Sequence, residues 1–384
     1  MELGMPIIQK VNALTLKDWV EKPLKQIAPL QRGFDLPSTH LASGKYPVVY
    51  SNGIGNYHNK YMVKAPGIVT GRSGTIGKVM YLGKDFWPHN TSLWVTNFHG
   101  NDTKFIYYLY LFIGLERFST GSGVPTLNRN DVHDFRVSLP PFHEQQGIAQ
   151  VLSDTDKLIK FLEKKIEKKK LIKKGVMQAL LTPKEGWEVK KLGEIANITK
   201  LAGFEYSNYF NSYKDRGEVI VLRGTNITAN KLDLSDIKTI PRKTSDFLKR
   251  SKLYCGDLVF AYVGTIGPVY LVKENNRFHL GPNTSKISAS NLLNSEFLFH
   301  YFTSWYIQDE IVEHTSIGAQ PSLSMSKIRS FNINLPNLEE QVEIARVLTA
   351  FDNEIKDLTK LLQKYGHLRQ GMMQQLLTGK IRLV

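Results

Sequence analysis

Two stretches of the chain carry a sustained helical rhythm of apolar positions. Most of the remainder is short and β-like. In the first stretch the seam positions fall at Ile148, Leu152, Thr155, Ile159, Leu162, Ile166 and Lys169. In the second they are Ile344, Leu348, Phe351, Ile355, Leu358, Leu362 and Tyr365, at the same alternating spacing of four and three. That spacing is the seam of a coiled coil, weakened in the first copy by Thr155 and Lys169. Pro140 and Pro141 stop the preceding strand, so the first helix is predicted to begin near Glu144. Continued to residue 181, it spans roughly 57 Å at about 1.5 Å per residue. Each seam is apolar enough to bury the other, which predicts an antiparallel pair without a second chain.

The segments before each helix have a different pattern. Runs such as YPVVYSNGIG (46–55) and GEVIVLRGTNI (217–227) are β-rich and are broken by Gly, Pro, Asn and Asp. The predicted class is α+β: two pseudo-symmetric α/β globules separated by two long antiparallel helices that form a coiled coil. The predicted divisions are an N-terminal extension (1–16), a first globule (17–143), a central helix (144–182), a second globule (183–339) and a C-terminal helix (340–384).

The chain is written twice. PTLNRNDVHDFRVSLPPFHEQQGIAQVLSDTD from Pro125 aligns without a gap to PSLSMSKIRSFNINLPNLEEQVEIARVLTAFD from Pro321. Glu144-Gln145 meets Glu340-Gln341, and Asp156 meets Asp352. GVMQALLT (175–182) then meets GMMQQLLT (371–378). The earlier parts match more loosely: Trp19 with Trp187, GTIG at 74–77 with GTIG at 264–267, and NTS at 90–92 with NTS at 283–285.

GRSGTIGK (71–78) looks like a phosphate-binding loop, but its spacing is wrong. Such a loop needs four residues between Gly and Gly-Lys, then Ser or Thr. Here five residues separate Gly71 from Gly77, and Val79 follows Lys78. The second copy replaces Gly71, Arg72 and Lys78 with Ala261, Tyr262 and Pro268. The glycine framework recurs and the phosphate-binding groups do not. The motif is therefore a turn whose flanks are free to vary, which suits them to recognition.

Composition narrows the function. With 384 residues, more than one domain is expected. The net charge of +15 points to a polyanion partner, most often nucleic acid, with a basic membrane-surface protein as the rival. No signal peptide is expected, and no run of about 18 apolar residues exists to span a membrane. A single cysteine, Cys255, excludes an internal disulfide and any zinc site needing two cysteines. The basic run EKKIEKKKLIKK (163–174) is a solvated helix face, with phosphate contact as the alternative.

Catalytic look-alikes fail one by one. LPPF (139–142) resembles the loop of amino-group methyltransferases, but Leu139 replaces the accepting Asn, and the second copy reads LPNL. FSTGSG (118–123) lacks the spacing of a methyl-donor loop, and HEQQG (143–147) lacks the second His of a zinc-protease helix. The 10 histidines are scattered. No acid, base and nucleophile set occurs in both halves.

The two LP-x-x-x-E-Q-x-x-I-A-x-V-L runs (139–152 and 335–348), each followed by Asp156 or Asp352, resemble the specificity subunit of type I restriction–modification systems. So do the two GTIG turns and FDLPSTHLASGKYPVVYSNGIG (34–55). The resemblance covers about Trp19 to Leu377, and residues 1–16 have no counterpart before Trp187. It implies that each globule reads one half of a bipartite site in double-stranded DNA. It implies that the helices set the gap and dock two methyltransferase subunits, and that restriction–translocase subunits join them. On this resemblance the chain binds no cofactor, S-adenosylmethionine, ATP and Mg belong to the partners, and the setting is a prokaryotic cytoplasm. A coiled-coil scaffold without sequence-specific DNA binding is the alternative.

A few polar side chains would then read base edges. The expected readers flank the GTIG turns: Asn52, Arg72, Ser73, Thr75 and Lys78 in the first globule, and Arg223, Asn226, Tyr262 and Thr265 in the second. Arg72 is the strongest single candidate, because arginine on guanine is the commonest specific contact.

Overall fold

A computed structural model describes residues 18–121, 123, 125–209, 217–315 and 321–383. The extension expected over 1–16 lies outside the described residues, as does Ser122 of the 118–123 loop. The chain divides into two compact units, Met1–Lys164 with Thr359–Val384, and Lys165–Leu358. Each unit combines a globule, the beginning of the long helix that follows it, and the end of the other long helix.

In unit 1, β1 (Val20–Pro23), β2 (Leu30–Arg32), β3 (Tyr46–Tyr50), β4 (Gly53–His58), β5 (Gly67–Gly71), β6 (Val79–Leu82), β7 (Trp87–Pro88) and β8 (Ser92–Val95) precede α1 (Thr103–Ile113). Then β9 (Ser119–Thr120), β10 (Thr126–Leu127), α2 (Arg129–His133) and β11 (Arg136–Leu139) lead into α3 (Phe142–Leu181). One sheet, ordered β2-β8-β5-β6, is antiparallel. The other, β4-β3-β7, is mixed, with β3 and β7 parallel. β1 pairs with β11, which brings the start of the globule beside its end.

Unit 2 opens with β12 (Glu188–Lys191), α4 (Leu192–Ile195), β13 (Ala196–Lys200), α5 (Gly203–Tyr209), β14 (Val219–Leu222), β15 (Ile227–Thr228), β16 (Lys231–Leu232), β17 (Lys238–Ile240) and α6 (Arg242–Phe247). It continues through β18 (Leu258–Ala261), β19 (Val269–Leu271), β20 (Phe278–Leu280), β21 (Thr284–Ala289), α7 (Ser295–Phe302), α8 (Trp305–His314), α9 (Met325–Arg329) and β22 (Asn332–Leu335) to α10 (Leu338–Leu376). The plan of unit 1 returns: an antiparallel sheet β13-β21-β18-β19, a mixed sheet β17-β14-β20 with β14 and β20 parallel, and the ribbon β12-β22. Between β14 and β17, unit 2 inserts the small hairpin β15-β16.

Helix α3 begins at Phe142, two residues before the expected Glu144. Proline is tolerated in a first helical turn, and the Pro141 carbonyl accepts from the Glu144 and Gln145 amides, each at 3.0 Å. LPPF is thus the strand-to-helix corner. The seam works partly as globule core. Ile148 and Leu152 are buried with Phe105, Tyr110 and Leu376 in unit 1, and Ile344 and Leu348 with Phe260, Phe297 and Phe331 in unit 2. Leu162 and Ile166 are also buried, while Ile159, Phe351, Ile355, Leu358 and Leu362 are half-buried. Within unit 2 the helices run antiparallel: Lys169 meets Glu354 at 2.8 Å and Lys173 meets Asp352 at 2.6 Å. Lys169 also stacks on Phe351 at 5.8 Å, which explains a lysine in the seam. Thr155 is accommodated by donating to the Val151 carbonyl at 2.9 Å.

The repeated Glu-Gln-Asp set ties each globule to its helices. Glu144 is 1% exposed and accepts from the Trp19 indole at 3.1 Å, from Arg382 Nε and Nη2 at 2.8 and 2.9 Å, and from the Leu383 amide at 3.3 Å. Its counterpart Glu340 accepts from Trp187 at 3.0 Å and Lys184 at 2.7 Å. Gln145 accepts from the amide of Asp102, which caps α1, at 2.9 Å and donates to the Pro140 carbonyl at 2.9 Å. Gln341 does the same with the α7 cap, Asn294 (2.8 Å), and with Pro336 (2.9 Å). Asp156 accepts from the Tyr108 hydroxyl at 2.8 Å and pairs with Arg369. Asp352 pairs with Lys173 and lies 3.8 Å from His300 Nδ1, where unit 1 has Tyr108.

Candidate nucleic-acid interface

Both GTIG turns join a central strand of the antiparallel sheet to its edge strand, β5 to β6 and β18 to β19. Their glycines hold left-handed backbones: φ is 82° and 89° at Gly74 and Gly77, and 79° and 112° at Gly264 and Gly267. Glycine meets this need without steric cost. Each turn is stitched at both flanks by similar backbone bonds, the first of them displaced by one residue along the NTS repeat. The Arg72 amide donates to the Thr91 carbonyl (2.9 Å), and the Tyr262 amide to that of Asn283 (3.1 Å). Gly74 donates to Pro125 (3.0 Å), and Gly264 to Pro321 (2.9 Å). Leu127 donates to Arg72 (2.8 Å), and Leu323 to Tyr262 (2.9 Å). The amides of the turn flanks are therefore used internally, which is the opposite of a phosphate cradle.

Gly71 is a further constraint. A β-carbon there would overlap the Thr75 carbonyl oxygen, a backbone atom that cannot swing away. Gly71→Ala should therefore deform the turn and cost about 1–3 kcal/mol. The reverse change at its counterpart, Ala261→Gly, should cost about 1 kcal/mol or less. Chemical denaturation of both variants checks this, and equal losses would count against it.

The expected readers of unit 1 gather at one edge. Asn52 occupies the β3–β4 turn, and its carbonyl accepts from Lys78 Nζ at 2.6 Å. Asn52, Thr75 and Lys78 are exposed, whereas Arg72 and Ser73 are half-buried. Among the described residues the Arg72 guanidinium makes only a long contact, from Nη1 to the Asn90 carbonyl at 3.5 Å.

Unit 2 is built differently. Arg223 and Thr265 line one recess of about 480 Å³. Arg223 is spent on Asp236, at 3.0 Å to the carboxylate and 2.7 Å to the carbonyl. Asn226 is a correction: it is buried. Its oxygen accepts from the Arg223 amide at 3.2 Å, and its nitrogen donates to the carbonyls of Asp233 (3.0 Å) and Asp236 (2.9 Å). It shapes the insertion from inside. Tyr262 is half-buried against the core, and burial pushes its phenol up from the ordinary value.

Sequence reasoning missed Asn283. It is exposed on a left-handed backbone at φ 64°, at the rim of the same recess. The signal was the repeated NTS, whose Asn is exposed only here. In the basic run, Lys169 and Lys173 pair across the helices, while Lys164, Lys165, Lys168, Lys170 and Lys174 are exposed. Among the described residues no helix is long and apolar enough to cross a membrane.

Two β-sheet globules with repeated GTIG turns, tied to long helices, define a class of proteins. The family model described as the type I restriction modification DNA specificity domain matches residues 16–170 and 184–364. The chain belongs to that family. It is 28% identical over 312 residues to the type I restriction enzyme MjaVIII specificity subunit of Methanocaldococcus jannaschii, covering 72% of this chain and 70% of that protein. It is 26% identical over 367 residues to the putative type I specificity subunit S.MpnORF507P of Mycoplasma pneumoniae, covering 91% and 94%. Among solved structures, the type I restriction–modification S subunit from M. genitalium shares the fold, with a TM-score of 0.64 at 16% identity, covering 96% of this chain and 97% of that one.

Proposed function

We propose that the chain is the sequence-reading subunit of a type I restriction–modification complex, with each unit reading one half of a bipartite DNA site. One observation carries this reading. A similarly hydrogen-bonded turn presents different side chains in the two units, Arg72 against Tyr262 and Lys78 against Pro268. A constant frame with variable flanks is what two different half-sites require. The long helices set the gap and dock two methyltransferase subunits. The exposed Phe161 and Leu171 on α3, and Leu361 and Leu368 on α10, offer apolar contact for them. The surplus lysines supply salt-sensitive phosphate binding. The chain itself is non-catalytic: the methyltransferases carry S-adenosylmethionine, and restriction–translocase subunits use ATP and Mg.

The test is a map of methylated adenine across the source genome, with and without this gene. Loss of one split motif, two short half-sites around a fixed gap, is the expected result. Exchanging residues 17–143 for those of a relative should then change one half-site and leave the other. An unchanged map, with the chain and a methyltransferase shown to be expressed, returns the scaffold alternative.

A further inference from the structure

The two GTIG frames are alike in their hydrogen bonds and unlike in what they offer a ligand. In unit 1, Asn90 donates its carboxamide to Asp35, and the exposed cation beside the turn is Lys78. In unit 2, the counterpart Asn283 makes no side-chain hydrogen bond among the described residues. Its backbone is fixed. The carbonyl accepts from the Tyr262 amide at 3.1 Å, and the next hydroxyl, Thr284, donates to the carbonyls of Leu222 (3.1 Å) and Gly281 (2.8 Å). A free carboxamide is thus held out on a rigid support.

Its surroundings narrow the ligand. The recess beside Asn283 carries the hydroxyls of Thr225 and Thr265 and apolar walls from Val263, Pro268 and Pro282. Arg223, the cation in its described lining, is committed to Asp236 and Asn226. A phosphate is held most strongly by a free cation. A guanine edge, with two adjacent acceptors, calls for arginine or lysine. Adenine instead places a donor beside an acceptor, which a carboxamide matches with one of each, and its partner thymine adds a methyl group suited to an apolar wall.

Resting on the DNA-reading function proposed above, we infer that unit 2 reads an A·T pair in the major groove. Asn283 takes the N6/N7 edge of adenine, and the Val263–Pro268–Pro282 wall takes the thymine methyl.

Asn283→Gly is the cleanest probe, because glycine keeps the left-handed backbone and loses only the carboxamide. The full chain is assembled with its methyltransferase partner and assayed for methylation on DNA carrying every single-base change in the mapped site. Residue exchange in unit 1 identifies which half-site belongs to unit 2. Besides the adenine that is methylated, that half-site should contain a further A·T pair, and Asn283→Gly should reduce discrimination at that position alone by about 10- to 100-fold. Asn283→Asp should shift preference there towards cytosine, whose N4 donates to a carboxylate. A unit 2 half-site with no A·T pair besides the methylated one, unchanged discrimination in Asn283→Gly, or an equal loss at every position each overturns the inference. A wild-type complex with no bipartite site overturns the DNA-reading function itself, which keeps the two failures apart.

Discussion

Replacing Glu144 with alanine lowers the stability of unit 1 by about 3–5 kcal/mol. The carboxylate is almost fully buried and is held by Arg382, Trp19 and the Leu383 amide. Removing it leaves the Arg382 guanidinium, which is one-fifth exposed, with the Asp18 carboxylate at 4.0 Å in place of a two-point ion pair, and leaves the buried indole N–H unpaired. A weakly compensated charge and an unpaired donor cost more than the pair contributes. The same change at Glu340 should cost only about 1 kcal/mol, because its carboxylate is nearly one-third exposed and Lys184 can return to water. Calorimetry of the two variants should show a shift of about 10 °C or more for Glu144→Ala and of a few degrees for Glu340→Ala. Similar shifts would sink the argument. Burial alone would raise the Glu144 carboxyl, but Arg382, Trp19 and the Leu383 amide outweigh it and hold it below the usual carboxylate value. The carboxylate's contribution is therefore present above the unfolded value and is lost as pH falls through the folded one.

The second large effect is confined to unit 2. Mild acid should destabilise it by about 3 kcal/mol through one residue, His300. The side chain is 1% exposed. Its Nε2 contacts the Thr349 hydroxyl at 3.0 Å, and its Nδ1 has no hydrogen-bond partner among the described residues. Burial lowers the imidazole from 6.5 to about 4, assisted by Lys173 and Lys273 and opposed by Asp352 and Glu296. The unfolded chain therefore binds a proton that the folded chain refuses, so stability is lost as pH falls from about 6.5 to about 4. His300→Gln, which keeps a hydrogen-bonding group and removes the titration, should flatten that slope. Denaturant unfolding at pH 7 and pH 4.5 measures it. A slope that survives the substitution assigns the acid sensitivity elsewhere. Tyr108 holds the equivalent place in unit 1, and its phenol is pushed upward, so the same window should leave that site unchanged.

Much of this architecture was legible because it rests on local pattern and repetition. The seam spacing located α3 and α10, and the paired GTIG and Glu-Gln sequences announced two equivalent halves. Side-chain roles were harder, because they depend on distant partners. Asn226 looked like an exposed reader, yet carbonyls seven and ten residues away turn it inward. Glu144 could not be recognised as a latch, because Arg382 lies 238 residues along the chain. Asn283 was hidden by its likeness to Asn90: identical letters in the repeat conceal that Asp35 engages one carboxamide and not the other.

Unit 1 is assembled from both sides of unit 2, so the order of synthesis matters. Residues 165–358 leave the ribosome before Met373, Leu376, Leu377 and Arg382 exist to complete the first core. The half made first is finished last. A premature stop just beyond residue 358 would release a chain with an intact second unit and an open first one, exposing the apolar surface that α10 normally covers. Such a product is an aggregation hazard, and a circular permutant that joins the last helix to the first globule would remove the delay.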